Sequence, residues 1–531
     1  MKKLFWFSTL LLLFFETNIL FSQNFNDQVF KFGLALDYIN KYYVDTVNQS
    51  KLAESAIIEM LKELDPHSSY LTAKEVREMN EPLQGNFEGI GVYFNILNDT
   101  IFIISPIVGG PSERVGVMAG DKIIKIDGNR VAGIKITNND VYSKLRGKKG
   151  TKVTISILRR NVKELIDFTI TRDKIPIFSI DATYMLEPGT GYIKLDRFAQ
   201  TTDKEFDLAL DKLLSQNMQN LILDLTDNGG GYLEEAVKLA DQFLSSGKLI
   251  VYTQGVHSFK DEYFATNSGK FEKGKLILLI DEGSASASEI LSGAIQDWDR
   301  GIIIGRRSFG KGLVQRQLPF SDGSILRLTV ARYYTPSGRL IQKPYNKGVD
   351  EYEKDIMNRY YKGEFSHKDS IHFPDSLKRF TLVDKRVVYG GGGIMPDFFV
   401  PIDTLDYSNY YRDIIRKGII NKFTLNYIDQ HRVILKIKYQ NLVSFKNNFE
   451  ADSALSELVS FAEKEGLKTN NDQINISKLA LTKLLKSYIA RDLWDSGDFY
   501  QIFNEGEPII NEALDVIHNW DERKKSLLKN K

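Results

Sequence analysis

The chain has 531 residues and no cysteine. That absence excludes disulfides, Cys-ligated metals, a thiol nucleophile and a lipidated N-terminal cysteine. Histidine is scarce as well: His67, His257, His367, His372, His431 and His518 are all there are, and none falls in a recognisable triad pattern. Charge of one sign is also missing. The net charge is +1, so the balance gives no footprint for a nucleic-acid partner. No cluster of metal-ligating residues stands out, and no metal or organic cofactor is expected. No apolar run reaches the roughly 20 residues that a membrane-spanning helix needs.

What is present begins with an address. Lys2 and Lys3 precede the apolar run Leu4 to Phe15, and "TNILFSQ" leads into polar sequence. Residues 1–23 read as a cleaved signal peptide, which implies an exported, periplasmic protein, soluble or peripherally membrane-associated. With 42% hydrophobic residues, a chain of this length holds several domains. Residues 24–86 are helical, with Phe32, Leu36, Ile39 and Tyr43 at three- and four-residue steps. Residues 87–172 change to short β runs and glycine turns. In residues 173–402 apolar strands alternate with amphipathic helices, as in "NLILDL" followed by "YLEEAVKLADQFL", which argues for an α/β domain with largely parallel strands. Within it, residues 344–379 are charged, weakly patterned and read as an inserted loop. Residues 403–531 are mostly helical.

Chemistry concentrates at two strand-to-helix junctions, "LDLTDNGGGYLEEA" and "IDEGSASASEIL". In such folds ligands gather at the carboxyl ends of strands, and a helix N-terminus offers unpaired N–H groups to an oxyanion. The second junction carries Ser284, Ser286 and Ser288, separated by alanines. A serine nucleophile needs a base. With no histidine in pattern, a lysine with a pKa lowered by burial is the alternative, and Lys311 in "RSFGKGLVQ" is the candidate, with Gln315 able to hold its amine.

"GSASASE", a gap and then "GKGLVQ" resemble the carboxyl-terminal processing peptidases, also called tail-specific proteases, over about residues 27–401. The resemblance implies a crotonase/ClpP-like α/β core preceded by a PDZ domain, and a Ser-Lys dyad. The family's lysine follows its nucleophile by 25 positions, a separation that Lys311 shares with Ser286 and not with Ser284 or Ser288. Gln315 matches the family's glutamine. Ala287 and Gly230 match the oxyanion-hole positions. The turn "DLTDNGGG" departs from the family's "DLRxNPGG" pattern, with Thr226 in place of arginine and Gly229 in place of proline.

"GNFEGIGVYF" followed by "PSERVGVMAGDKIIKIDG" resembles a PDZ domain of the protease-associated type. It implies capture of a C-terminal carboxylate by the loop of Phe87, Gly89, Ile90 and Gly91, with the peptide added as a strand. Arg146, in "LRGKKGT", is a candidate for coupling that module to the active site. The expected partners are unfolded proteins or proteins with exposed C-termini, a second copy through terminal helices, and an adaptor or regulator protein. The competing reading is a non-catalytic scaffold on the same fold.

Overall fold

The computed structural model describes residues 26–402 and 406–528. The expected signal segment, residues 1–23, lies outside them. The chain divides into two compact units.

The first unit comprises residues up to Lys74 together with Gln315–Thr329 and Tyr345–Asp350. Residues 26–42 form a helix. Helix Gln49–Lys62 comes next, capped by the Asn48 side chain accepting from the Lys51 N–H. The strand Ser69–Leu71 pairs antiparallel with residues 325–327. Asp65 organises the turn before it, accepting from the N–H groups of His67 and Ser68 and from the Thr329 hydroxyl.

In the second unit, strand β1 (Asn86–Gly89) pairs antiparallel with Asp173–Pro176. Strands β2 (Val92–Leu97) and β3 (Thr100–Pro106) open a six-stranded antiparallel sheet, in which β2 is an edge strand. Helix α1 (Asn138–Leu145) is fixed by a reciprocal cap between Thr137 and Asp140. Ile101, Ile103, Ile123, Val141, Ile155 and Ile157 are buried between sheet and helix. These elements make a small β-rich module.

A second six-stranded sheet sets the site. Its order is β4 (Ile180–Glu187), β5 (Thr190–Leu195), β6 (Asn220–Asp224), β7 (Lys275–Ile280), β8 (Ile302–Gly305) and β9 (Phe398–Phe399). Only β4 runs antiparallel to its neighbour; the remaining pairs are parallel. The apolar runs arise because both faces are covered. Leu221, Leu223, Leu276, Leu278 and Ile280 face helices α2 (Thr202–Leu214), α3 (Leu233–Asp241) and α4 (Ala287–Asp297). The alternate residues Ile222, Ile277, Leu279, Ile302 and Ile304 face the opposite way.

Two segments behave differently from their sequence texture. Residues 344–379, read as a loop, carry helix α5 (Asp355–Tyr361), whose Arg359 is only 2% exposed. Its charges are ion-paired inward, Arg359 and Arg307 both meeting Glu364. In the C-terminal region, helix α6 (Ile419–Lys438) and its neighbours form a core of their own. That core also touches the small β module: Leu425 packs with Leu97 and Phe102, and Asp429 pairs with Lys122 at 2.8 Å. Helix α7 (Pro508–His518), far along the chain, supplies Ile510, Ala513, Val516 and Ile517 to the second face of the mostly parallel sheet. Hydrophobic burial thus makes the end of the chain part of the α/β layer structure.

If α7 completes that core, Ile510→Ala costs about 2–5 kcal/mol. Exposed Ile434→Ala, in α6, changes stability by less than about 0.5 kcal/mol. Urea unfolding of the two variants checks the difference, and equal midpoints would remove α7 from the core.

Candidate active site

Strand β7 ends at Ile280, and after Asp281 and Glu282 the small residues Gly283 to Ser286 lead into α4, which starts at Ala287. Between them Ser286 adopts φ 55° and ψ −110°. For a residue with a Cβ this conformation costs on the order of 1–3 kcal/mol and persists only where the surroundings over-determine it. The three serines meet different fates. Ser284 is fully buried, accepts from the Asp281 N–H at 2.9 Å and donates to the Leu225 carbonyl at 2.7 Å. Ser288 is fully buried and donates to the Asn228 carbonyl at 2.9 Å. Of the three, only Ser286 reaches the surface. Ala287 is the first residue of α4, so its N–H has no acceptor within the helix.

Gly230 lies directly against this turn. A Cβ there would stand 2.7 Å from the Ala285 carbonyl oxygen and 2.9 Å from both the Ala287 nitrogen and the Ser286 Cβ. Its φ of 97° also belongs to glycine. Its N–H donates to Asn228 Oδ1 at 2.9 Å. Buried Asn228 was not singled out by sequence, yet it joins the two junctions. Its amide donates to the Leu195 carbonyl, and its own carbonyl accepts from the Ala285 N–H and the Ser288 hydroxyl. Its one sequence signal is its place before three glycines. Lys194 was missed too. From β5 it donates to Asp224 Oδ1 at 3.1 Å and Thr226 Oγ1 at 2.8 Å. A cation from the neighbouring strand therefore steadies the turn in which Thr226 and Gly229 depart from the family pattern.

The lysine loop meets the serine turn through Glu289, a fully buried residue of α4. Its Oε2 accepts from the N–H of Ser286 at 2.8 Å and of Lys311 at 2.9 Å. Its Oε1 accepts from the Gly310 N–H at 2.7 Å and the Ser308 hydroxyl at 2.5 Å. Burial raises the Glu289 pKa, and these bonds oppose the rise. Lys311 is half-buried. Behind it, Arg359 donates to the carbonyls of Ser308 at 3.0 Å and Arg307 at 2.6 Å. Burial lowers its pKa to about 10. Gln315 belongs to the first unit, where it is half-buried and its amide lies 3.4 Å from Thr329 Oγ1.

At the small β module, Phe87 and Gly89 lie in β1, opposite Ile175 and Asp173. The Ile90 carbonyl accepts from the Ser112 N–H and hydroxyl, and the Gly91 carbonyl from the Ile107 N–H. Tyr142 of α1 packs edge-on to Phe94 of β2, with ring centroids 5.5 Å apart. Arg146, which ends α1, places its guanidinium 4.8 Å from the Phe87 ring and 4.7 Å from the Tyr142 ring, and it pairs with Glu81. Among the described residues no group of His, Asp and Glu is arranged to hold a metal ion. No helix among them is long and apolar enough to cross a membrane.

Asp281 holds both junctions from below. Its Oδ1 accepts from the N–H groups of Asp227 at 2.9 Å and Gly283 at 3.0 Å. Burial, and then the charge of Asp227, push its pKa up to about 6. An unfolded aspartate titrates near 4, so the folded protein binds this proton more tightly. Stability therefore falls as pH rises from about 4 to 6, and the loss persists above that. Asparagine keeps the acceptor without the charge. We expect Asp281→Asn to be more stable than the parent by about 2 kcal/mol at pH 7.5, and to lose that advantage at pH 4. Urea midpoints at the two pH values check this, and a pH-independent difference would contradict it.

Known proteins share both the peptidase region and the small β module. Residues 189–352 match peptidase family S41, residues 89–170 a PDZ domain, residues 16–75 the N-terminal domain of the activating protease CtpB, and residues 410–495 a family of unknown function. The chain is similar to the carboxy-terminal-processing protease of Bartonella bacilliformis, with 39% identity over 325 residues, 60% of this chain and 74% of that protein. It is similar to the carboxy-terminal processing protease CtpA of Bacillus subtilis, with 34% identity over 343 residues, 64% of this chain and 72% of that one. Among solved structures it resembles a photosystem II D1 C-terminal processing protease, with 29% identity, a TM-score of 0.33, and coverage of 58% of this chain and 88% of that chain.

Proposed function

The chain belongs to the carboxy-terminal processing proteases of peptidase family S41, and on that premise we propose that Ser286 is the nucleophile of this serine peptidase and Lys311 its general base. The observation that carries the assignment is the Glu289 carboxylate, one oxygen of which holds the N–H groups of both residues. In this reading neutral Lys311 takes the Ser286 proton as the hydroxyl oxygen attacks the scissile carbonyl. The oxyanion is met by the Ala287 N–H and by the Gly230 N–H, which exchanges its bond to Asn228 Oδ1 for one to the oxyanion. The lysine ammonium returns the proton to the leaving amine, and water hydrolyses the acyl-enzyme. Gln315 is assigned to the catalytic set only by its match to the family's glutamine. A scaffold without catalysis is the weaker reading, because the curated relatives are named proteases and the dyad residues are present here.

The substrates are proteins with accessible C-termini. The proposed tail site is the segment of Phe87, Gly89, Ile90 and Gly91, which runs from the end of β1 to the start of β2, with the tail added to the open edge of β2. Arg146, stacked on Phe87, is the proposed link from tail to active site. The domain division follows from the same reading: PDZ module 87–172, peptidase core 173–402, C-terminal helical region 403–531. Export to the periplasm after removal of residues 1–23, and an adaptor or regulator protein, complete it. Assembly with a second copy through terminal helices is supported by the helix at residues 26–42, whose Val29, Phe30 and Tyr42 are exposed.

Ser286→Ala is expected to lower cleavage of an unfolded substrate by at least about 10³-fold without loss of fold. Ser284→Ala and Ser288→Ala keep the activity and lose about 1–3 kcal/mol of stability, since each leaves a buried partner unsatisfied. Activity lost in one of these two and kept in Ser286→Ala would displace the nucleophile assignment.

For the tail site, amidating the C-terminus of a substrate peptide removes the charge that backbone N–H groups would hold. Its binding to the intact Ser286→Ala protein is expected to weaken about tenfold or more. Equal affinity for acid and amide, measured by calorimetry, would refute carboxylate capture.

A further inference from the structure

The serine turn and the lysine loop meet at a second place, on the carbonyl side of both residues. Near the end of the strand Ile325–Tyr334, Ala331 and Tyr333 are buried on either side of exposed Arg332, and Tyr333 is 1% exposed. The root of that side chain is fixed. The Tyr333 N–H donates to the Gly312 carbonyl at 3.0 Å, and the strand is paired there with Leu249–Gly255, Thr253 standing opposite Tyr333. The hydroxyl at the other end lies 2.6 Å from the Lys311 carbonyl oxygen and 3.1 Å from the Ser286 carbonyl oxygen. Two residues 25 positions apart thus share one phenol as well as one carboxylate.

We propose that Tyr333 is a positioning residue of the peptidase, its hydroxyl setting the separation of nucleophile and base by holding their two main-chain carbonyls. The inference rests on the reading of Ser286 and Lys311 as that pair. A phenol suits the task because it carries a single O–H, here directed at the Lys311 carbonyl, with the Ser286 carbonyl as the second, longer acceptor. Burial and the nearby Glu289 carboxylate push its pKa well above the ordinary tyrosine value, so it stays a donor throughout the working pH range. The Ser286 carbonyl already accepts from the N–H groups of Glu289 and Ile290, both at 2.9 Å. The hydroxyl therefore ties the start of α4 to the lysine loop. With Glu289 on the N–H side and Tyr333 on the carbonyl side, the backbones of both residues are held from two directions. Their side chains are left to the chemistry. A displacement of about 1 Å between reacting groups is enough to cost on the order of 10²-fold in rate.

Tyr333→Phe removes the hydroxyl and keeps the ring that fills the core. The expected result is a kcat lower by about ten- to a hundredfold, a KM within about twofold, and an unfolding temperature within a few degrees of the parent. The acid limb of the pH–kcat profile should move to higher pH, because a loosened Lys311 gains water and its ammonium form is favoured. A kcat and acid limb equal to the parent's would overturn the proposal. So would a fall in kcat matched by rising KM and falling thermal stability, which is what a merely structural tyrosine would give. Lys311→Ala is measured beside it. If Lys311→Ala is inactive and Tyr333→Phe is indistinguishable from the parent, the positioning role fails and the dyad stands. If Lys311→Ala retains activity, the dyad reading falls and the role of Tyr333 falls with it.

Discussion

The candidate active site depends on a buried carboxylate that meets no cation among its hydrogen-bond partners. Glu289 has four donors, three backbone N–H groups and one hydroxyl, divided two and two between its oxygens. Burying an isolated carboxylate is costly by several kcal/mol, and only full hydrogen bonding makes it tolerable. The bonding works in both directions: the loops satisfy Glu289, and Glu289 sets where the loops lie. A glutamine of the same size could not do this, since one end of its amide is a donor facing donors. The raised pKa records that the bonds offset the cost of burial incompletely.

The parallel sheet explains why such a clamp is within reach. Strands β6 and β7 pair in register, Asp224 beside Leu279, so their carboxyl ends deliver the glycine turn and the serine turn side by side. Gly230 permits the contact of the two turns, and Asn228 and Asp281 bond them together. The unfavourable backbone of Ser286 is sustained by the helix that it starts, because every residue of α4 from Ala287 to Asp297 is buried. Helix packing and two polar crosslinks outweigh about 1–3 kcal/mol of local strain.

Much of this was legible in the sequence, for reasons that separate by residue. Alternating strands and amphipathic helices gave the α/β core, because a doubly covered parallel sheet leaves near-continuous apolar runs. The glycines at 229–231 marked one of the two strand-to-helix junctions, and Gly230 and Gly231 are where the backbone runs close to its neighbours. The alternating serines marked the second junction, and only the family's 25-residue separation from Lys311 singled out Ser286, since Ser284 and Ser288 differ from it only in what the fold brings to them. The roles of Asn228, Lys194, Glu289 and Tyr333 were not legible. Each is an ordinary residue type on an ordinary element, and its importance lies in partners that are remote in sequence. Residues 344–379 misled for the opposite reason. Charge is normally a surface signal, but Arg359 directs it at the carbonyls behind Lys311. The place of helix α7 in the sheet's core was not legible, because an amphipathic pattern states that a face is covered, not by what.

The small module raises a question of magnitude. A tail added to the edge of β2, beneath α1, would run past the contact of Phe94 with Tyr142. Tyr142 is one of three partners of Arg146; Phe87, in the proposed carboxylate loop, is another, and Glu81 the third. Each cation–π contact is worth roughly 0.5–1 kcal/mol where partly exposed. The Glu81 pair, about a third exposed, adds at most about 1 kcal/mol. Releasing or re-forming this set exchanges on the order of 1–3 kcal/mol, the scale of a typical coupling free energy between sites. That is enough to bias a two-state equilibrium by one or two decades, and it falls short of the roughly 5.5 kcal/mol that would take it from almost closed to almost open. Arg146 alone could therefore modulate access. A complete gate would need the tail itself, bound along β2, to supply the remainder.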